Sequence, residues 1–196
     1  MKFRNISHTT DVVIRRGYFL LGKRNLLYAA WWGIKLGNND SFYGKCHFKR
    51  YPKSTIIIGN NCEFLSKPNA NLIGINRPCM ISTLTEKAVI EIGDNCGFSG
   101  TVIGAFASIK IGNNVRCGAN TLITDSDWHP DDSRVGESKA VVIGDNVWLG
   151  LNAVVLKGVQ IGENTVIGAN SLVTKNIPAN VIAAGNPCKE IAKLPV

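Results

Sequence analysis

The sequence predicts an all-β solenoid, and three observations carry that prediction. Six aliphatic residues recur at intervals of six: Ile143, Leu149, Val155, Ile161, Ile167 and Val173. Four of them are followed by glycine, at Gly144, Gly150, Gly162 and Gly168. Four places after each aliphatic stands something small or β-branched: Val147, Ala153, Val159, Thr165, Ser171 and Ile177. A helix repeats at about 3.6 residues and a strand at 2, so a strict period of six fits neither. It fits a coil of very short strands whose aliphatic residues face a narrow core. The small residue suits the tight interior near the next bend. Gly, Asn or Asp after the aliphatic suits the corner.

Upstream the period is weaker. Ile111, Cys117 and Ile123 form one run, with Gly112 and Gly118 in the following position, and Ile92-Gly93 and Phe98 form another. Ile58-Gly59 reads as the start, while 51–91 otherwise resists phasing. After Ile123 the pattern breaks, because Ile143 stands twenty residues on where the period predicts eighteen. Residues 124–142, TDSDWHPDDSRVGESKAVV, are polar and read as a loop pushed out of the coil. Insertions of this kind gather on the functional face of repeat proteins. The expected layout is a helical or extended cap over 1–50, the solenoid over 51–185 and a short tail over 186–196.

Residues 8–37 do not follow the repeat. GYFLLGKRNLLYAAWWGIKLG is apolar but broken by Lys23, Arg24 and Lys35, whereas a membrane span needs about 20 mostly apolar residues. One or two helices covering an open end of the coil are expected, since such an end exposes unpaired backbone. The alternative is an amphipathic surface touching a membrane, with Trp31, Trp32, Arg15, Arg16 and Lys23 at the interface.

A chain of 196 residues with 45% hydrophobic and 18% charged residues is a folded domain, not a disordered one. Its net charge of +8 favours an anionic ligand or surface, and no nucleic-acid motif accompanies it. The six cysteines form no C-x-x-C pair, which reads as buried free thiols in a reducing compartment. With no secretory leader at Met1, a cytoplasmic protein is expected, at most peripheral to the inner face of the membrane.

IGDNVWLGLNAVVLKGVQIGENTVIGANSLVTKNIPANVIAAGNPCKEI, within residues 140–192, resembles the C-terminal half of the hexapeptide-repeat acetyltransferases. Among these it is similar to galactoside and maltose O-acetyltransferases and to O-acetyltransferases of surface-polysaccharide clusters. The resemblance spans roughly 88–192 and is carried by the repeat, a loop histidine and the V-T-K…A-G-N-P tail occurring in order. It implies a left-handed parallel β-helix and a homotrimer with acetyl-coenzyme A, as co-substrate, in the groove between neighbouring subunits. It implies no metal.

Of three histidines, His8, His47 and His129, only His129 lies in the extruded loop. Acetyl transfer to a hydroxyl needs a base titrating near neutrality, and an imidazole is suited to this. Its second nitrogen needs an acceptor to fix the tautomer. Asp127, two residues away, is the first expectation for that acceptor, and Asp125 the second. The family's catalytic histidine occupies this loop, which the resemblance matches to His129. By the same resemblance Trp148, Gly150 and Leu151 meet the pantetheine arm and the thioester, where a backbone N–H would polarise the carbonyl. Ala169, Thr174 and Lys175 match positions along the coenzyme groove, and Lys189 a basic position near the nucleotide end. Family members often carry a hydroxyl or small residue where this chain has Leu151, so a side-chain hydrogen bond is excluded there. The family's acceptor-sugar contacts do not transfer.

The expected reaction is direct transfer from acetyl-coenzyme A to a hydroxyl of a sugar or polysaccharide precursor. No loop cysteine offers a covalent route. An amino-sugar N-acetyltransferase would use the same base and groove, and a non-catalytic β-helix scaffold would use neither. A zinc carbonic anhydrase on this scaffold needs three histidine ligands, and His8 and His47 precede the recognisable repeat.

Overall fold

The computed structural model describes Gly17 and residues 22–195. His8, Arg15 and Arg16 lie outside the described residues. The chain winds into a three-faced, left-handed parallel β-helix. The first face stacks Lys35–Leu36, Thr55–Ile58, Val89–Ile92, Ser108–Ile111, Val141–Ile143 and Gln160–Ile161. The second stacks Ser41–Tyr43, Glu63–Leu65, Gly97–Ser99, Arg116–Cys117, Trp148–Leu149, Val166–Ile167 and Val181–Gly185. The third stacks His47–Lys49, Met80–Thr83, Val102–Ala105, Leu122–Thr124, Val154–Val155 and Leu172–Val173. All these neighbours pair in parallel, and Ile143 pairs with Ile161, one eighteen-residue coil later.

The interior follows the period. Ile143, Leu149, Val155, Ile161, Ile167 and Val173 are each at most 2% exposed, and the small residues Val147, Ala153, Val159, Thr165 and Ser171 at most 1%. Upstream, bulkier side chains fill the second face. The rings of Phe42 and Phe64 stack at 4.9 Å and those of Phe64 and Phe98 at 5.1 Å. Pairs of this kind contribute about 1 kcal/mol each beyond the area they bury.

The corners refine the expectation about glycine. The left-handed residue at the bend is asparagine, three places after the aliphatic: Asn61, Asn95, Asn114, Asn146 and Asn164 at one corner, and Asn120, Asn152 and Asn170 at the next. Asparagine tolerates positive φ because its short amide bonds locally. Here the amides also bond along the stack, as from Asn146 to Asn164 at 2.9 Å and from Asn152 to Asn170 at 3.1 Å. The glycines serve close approach instead. A Cβ on Gly150 would lie 2.5 Å from the Ala169 nitrogen, and one on Gly162 2.3 Å from that of Ala179.

Both ends of the coil differ from the expected boundaries. Strands begin at Lys35, not after residue 50, because Phe42 and Phe48 already point inward. Leu36-Gly37-Asn38-Asn39 is the corner motif of Ile58-Gly59-Asn60-Asn61 one coil early. Residues 22–31 are helical and lie across the first coil. Asn25 is the polar contact that lets them do so: its Nδ2 donates to the Gly44 carbonyl at 2.9 Å and its Oδ1 accepts from Cys46 N–H at 2.9 Å. A coil edge that would otherwise need water is satisfied by one side chain. At the other end Cys188–Lys193 is not a free tail. It folds back antiparallel onto Val181–Gly185.

Two insertions leave the coil. Residues 66–79 bulge between the second and third faces, and 125–140 between the third and the first.

Candidate active site

The loop carrying His129 is closed at its neck, where Lys139 N–H donates to the Asp125 carbonyl at 2.9 Å. The Asp125 side chain is fully buried and accepts from the Phe106 and Ala107 amides, both at 2.7 Å. Both its oxygens therefore hold the preceding turn of chain. This corrects the expectation of Asp125 as a second partner for His129.

Trp128 precedes the histidine with a φ of 68°, a region that costs a bulky residue about 1–3 kcal/mol. Its surroundings impose that conformation. The indole Nε1 donates to Thr124 Oγ1 at 2.8 Å, and the ring stands edge-on to Phe106 with centroids 5.6 Å apart. Beneath it lies Gly104, where a Cβ would fall 2.3 Å from the ring. Trp128 thus pins the loop to the third face and turns the next residue outward.

The next residue is His129, and it is exposed. Its carbonyl accepts from Asp132 N–H at 3.1 Å, and Asp132 grips the Arg134 guanidinium, Nε to Oδ1 at 2.9 Å. That guanidinium holds the Asp132 carboxyl below the usual carboxylate range. Among the described residues the His129 ring has no hydrogen-bond partner. Asp127, expected to orient it, bonds instead to the Lys157 ammonium, which also donates to the Gly136 carbonyl at 3.2 Å. A compact cation at the adjacent bend takes the carboxylate in this structure. Trp128, Gly104 and Lys157 were missed in the sequence. The readable signal for Lys157 was Leu156-Lys157-Gly158, standing where other bends read Gly-x-Asn.

The residues matched to the coenzyme fall into two groups. Leu151 and Ala169 occupy one position of the bend from second to third face, as does Ala119 a coil earlier. Trp148, 57% exposed, is on the second face beside them. Below, Ala184 packs under Gly168 and pairs with Lys189 in the terminal hairpin. Trp148, Gly150, Leu151, Ala169 and Lys189 therefore run along one edge. Thr174 and Lys175 lie across the third face, at the bend where the His129 loop emerges. Lys175 and Lys189 are exposed, and neither is in an ion pair among the described residues.

Along that first edge the amides of Ala119, Leu151 and Ala169 have no hydrogen-bond partner among the described residues. On the second face a cleft of about 750 Å³ opens beside it, lined by Trp148, Arg116, Glu63, Ser99 and Asn71 among others. Asn71 belongs to the 66–79 insertion, which Asn120 holds in place by donating to the Gly74 carbonyl at 2.9 Å and accepting from Asn76 N–H at 3.1 Å. An exposed indole among amides, hydroxyls and charges is chemistry that suits a polyhydroxyl ligand. Among the described residues no cluster of His, Cys, Asp and Glu could hold a metal ion. The cysteines of the described residues are free and buried, and burial pushes the Cys117 and Cys188 thiols up.

Comparison with known proteins agrees with this architecture. Residues 140–175 match the family described as bacterial transferase hexapeptide (six repeats). A galactoside O-acetyltransferase of Lactococcus lactis is 39% identical over 145 residues, 60% of this chain and 70% of that one. An Escherichia coli protein named lipopolysaccharide biosynthesis O-acetyl transferase WbbJ is 34% identical over 171 residues, 78% of this chain and 81% of its own length. Among solved structures, a variant of the N-acyltransferase AntD from Bacillus cereus, in complex with a dTDP-amino sugar and coenzyme A, superposes with a TM-score of 0.67. It is 18% identical and covers 87% of this chain and 90% of that one, a likeness of fold. With the repeat, the coil and these relatives in hand, the chain belongs to the hexapeptide-repeat acetyltransferase family and is an enzyme of acyl transfer.

Proposed function

We propose that the protein transfers acetyl from acetyl-coenzyme A to a hydroxyl of a sugar or polysaccharide precursor, with His129 as general base. The observation that carries this reading is the pinned loop. A strained Trp128 presents an imidazole that no neighbour among the described residues engages, and such strain is retained where a site needs a fixed geometry. The imidazole takes the acceptor's proton as the hydroxyl oxygen attacks the thioester carbonyl. The bond from that carbon to sulfur then breaks, and the proton passes to the departing thiolate. The free Leu151 amide is the donor for the developing oxyanion. Asp127 acts through Lys157, tying loop to coil, and not as a direct partner of the ring.

The two groups of matched residues support a homotrimer. His129, Thr174 and Lys175 stand on one edge of the third face, and Leu151, Ala169 and Lys189 on the other. A second copy placed edge to edge would bring one copy's histidine to its neighbour's free amides and close a groove for the coenzyme. Lys175 and Lys189 would meet its phosphates.

The test is release of free coenzyme A from acetyl-coenzyme A against mono- and disaccharides, amino sugars and serine, with His129→Ala in parallel. Release that depends on a sugar and disappears in the variant supports the reading. Equal release by the variant removes His129 from the chemistry, and release only with amino sugars would make the enzyme an N-acetyltransferase.

A further inference from the structure

Charge is divided unevenly along the chain. Residues 1–53 hold 11 of the 22 basic residues and 2 of the 14 acidic ones. The remainder holds 11 basic and 12 acidic. The whole positive excess therefore belongs to the N-terminal end, and the body of the coil is nearly balanced. Within the described part of that end, Arg50 is spent on the Trp32 and Ser54 carbonyls at 2.7 and 2.8 Å, and Lys53 pairs with Glu86 at 3.2 Å. Lys23, Arg24, Lys35, Lys45 and Lys49 remain exposed. Asp40 is the one acid among residues 22–53.

These cations flank an apolar ridge. The helix at 22–31 turns Asn25 and Ala29 toward the first coil and presents Leu27 and Trp31, 76% and 75% exposed, with Leu26 at 40%. The Trp31 ring lies parallel to that of Tyr28 with centroids 6.4 Å apart, and Lys45 stands over the Tyr28 ring at 5.5 Å.

We propose that this end of the β-helix docks on an anionic lipid bilayer, with Leu27 and Trp31 in the interface and the five cations against the headgroups. The pattern is that of an interfacial helix: aliphatic and indole groups at the centre, lysine and arginine at the rim. No helix among the described residues is long and apolar enough to cross a membrane, so the ridge lies on the surface. A second copy fits this ridge less well, since a symmetric contact would set five cations against five. A nucleic acid leaves the apolar centre unused. Coils stack about 4.8 Å apart, and Gly104 beneath the Trp128 clamp belongs to the third coil. With the helix adding a layer about 10 Å thick below the first coil, docking would therefore hold the histidine loop roughly 20–25 Å above the bilayer, within reach of a glycan of several sugars carried on a lipid in the same membrane.

The full chain would be sedimented with vesicles of phosphatidylcholine and phosphatidylglycerol, and with phosphatidylcholine alone, at low and high salt. Binding is expected to the anionic vesicles and to weaken with salt. A Lys23→Ala, Arg24→Ala double variant should bind about 30-fold more weakly, at about 5-fold per lost charge. A Leu27→Ser, Trp31→Ser variant should lose at least about 10-fold through the apolar term. Both should keep wild-type melting and wild-type turnover on a soluble acceptor, which separates failure of docking from failure of the acetyl-transfer reading. No binding to anionic vesicles, unchanged binding by both variants, or tighter binding to a nucleic-acid duplex than to vesicles would overturn the proposal. So would a smaller assembly for the Leu27, Trp31 variant on gel filtration, which would assign the ridge to a second copy.

Discussion

The bend from first to second face and the bend from second to third are built on one backbone plan and use their amides in opposite ways. At the first bend the exposed N–H of Asn38 donates to Asn60 Oδ1 at 2.9 Å, that of Asn60 to Asp94 at 2.7 Å, that of Asp94 to Asn113 at 2.9 Å, and that of Asn113 to Asp145 at 2.7 Å. Each coil caps the one before it, until Glu163 supplies no acceptor for Asp145. At the second bend the same position holds Ala119, Leu151 and Ala169, none of whose side chains can accept a bond, and among the described residues the amides stay unpaired. Choice of side chain alone makes one corner a mechanical seam and the other a row of unspent donors. Ala119 is fully buried, but at Leu151 and Ala169, which are not, unspent donors on a rigid scaffold are what an incoming carbonyl can use.

That contrast can be broken at several points. The largest effect is expected at the extruded loop: His129→Ala should lower kcat by about 100-fold or more while melting is unchanged, the usual scale for a lost general base. Steady-state kinetics with a saturating sugar acceptor would show it. Next is Leu151→Pro, which deletes one N–H. Turnover should fall about 100-fold, as for a lost oxyanion donor, with a wild-type circular dichroism spectrum; full activity would mean that the free amide has no role. Asp145→Ala works on the capped corner and should do the reverse. It removes the acceptor of Asn113 and should cost about 1 kcal/mol of stability by urea titration without changing kcat.

The smallest effect concerns Asp40, within the first bend. Its Oδ1 accepts from Cys62 N–H at 2.8 Å, while its Oδ2 is buried with no partner among the described residues. Burial above all, with the Asp94 charge added, pushes its pKa up to about 6 from 3.8, against the pull of the Cys62 amide. The folded state then prefers the neutral acid. Its contribution to stability is present below the unfolded value and is lost as pH rises through about 6. Asp40→Asn should therefore raise Tm at pH 8, and the gain should vanish near pH 4.

The contrast also marks how far sequence could reach. Ile143 to Val173 announced the coil because each face consumes one aliphatic per six residues. The extruded loop and His129 followed from the break in that rhythm. The asparagine bends were half visible: the residue type was expected, its place three positions on was not. The first coil hid because 8–37 reads as one apolar stretch, although Leu36-Gly37-Asn38-Asn39 repeats the corner motif. Asp127 could not be placed because its partner Lys157 is thirty residues away, a distance no local pattern records. The Trp128 clamp needs Gly104, and that pairing exists only once coils stack.

The separation of His129 from Leu151 by the width of the third face has a genetic consequence. If each site borrows its base from one copy and its oxyanion donor from the next, neither lesion alone defines a dead site. Co-expressed His129→Ala and Leu151→Pro chains would assemble mixed rings, each holding one interface with both groups intact. Two inactive parents should then yield about a quarter of wild-type activity at equal mixing, whereas a site contained within one chain would show no such complementation.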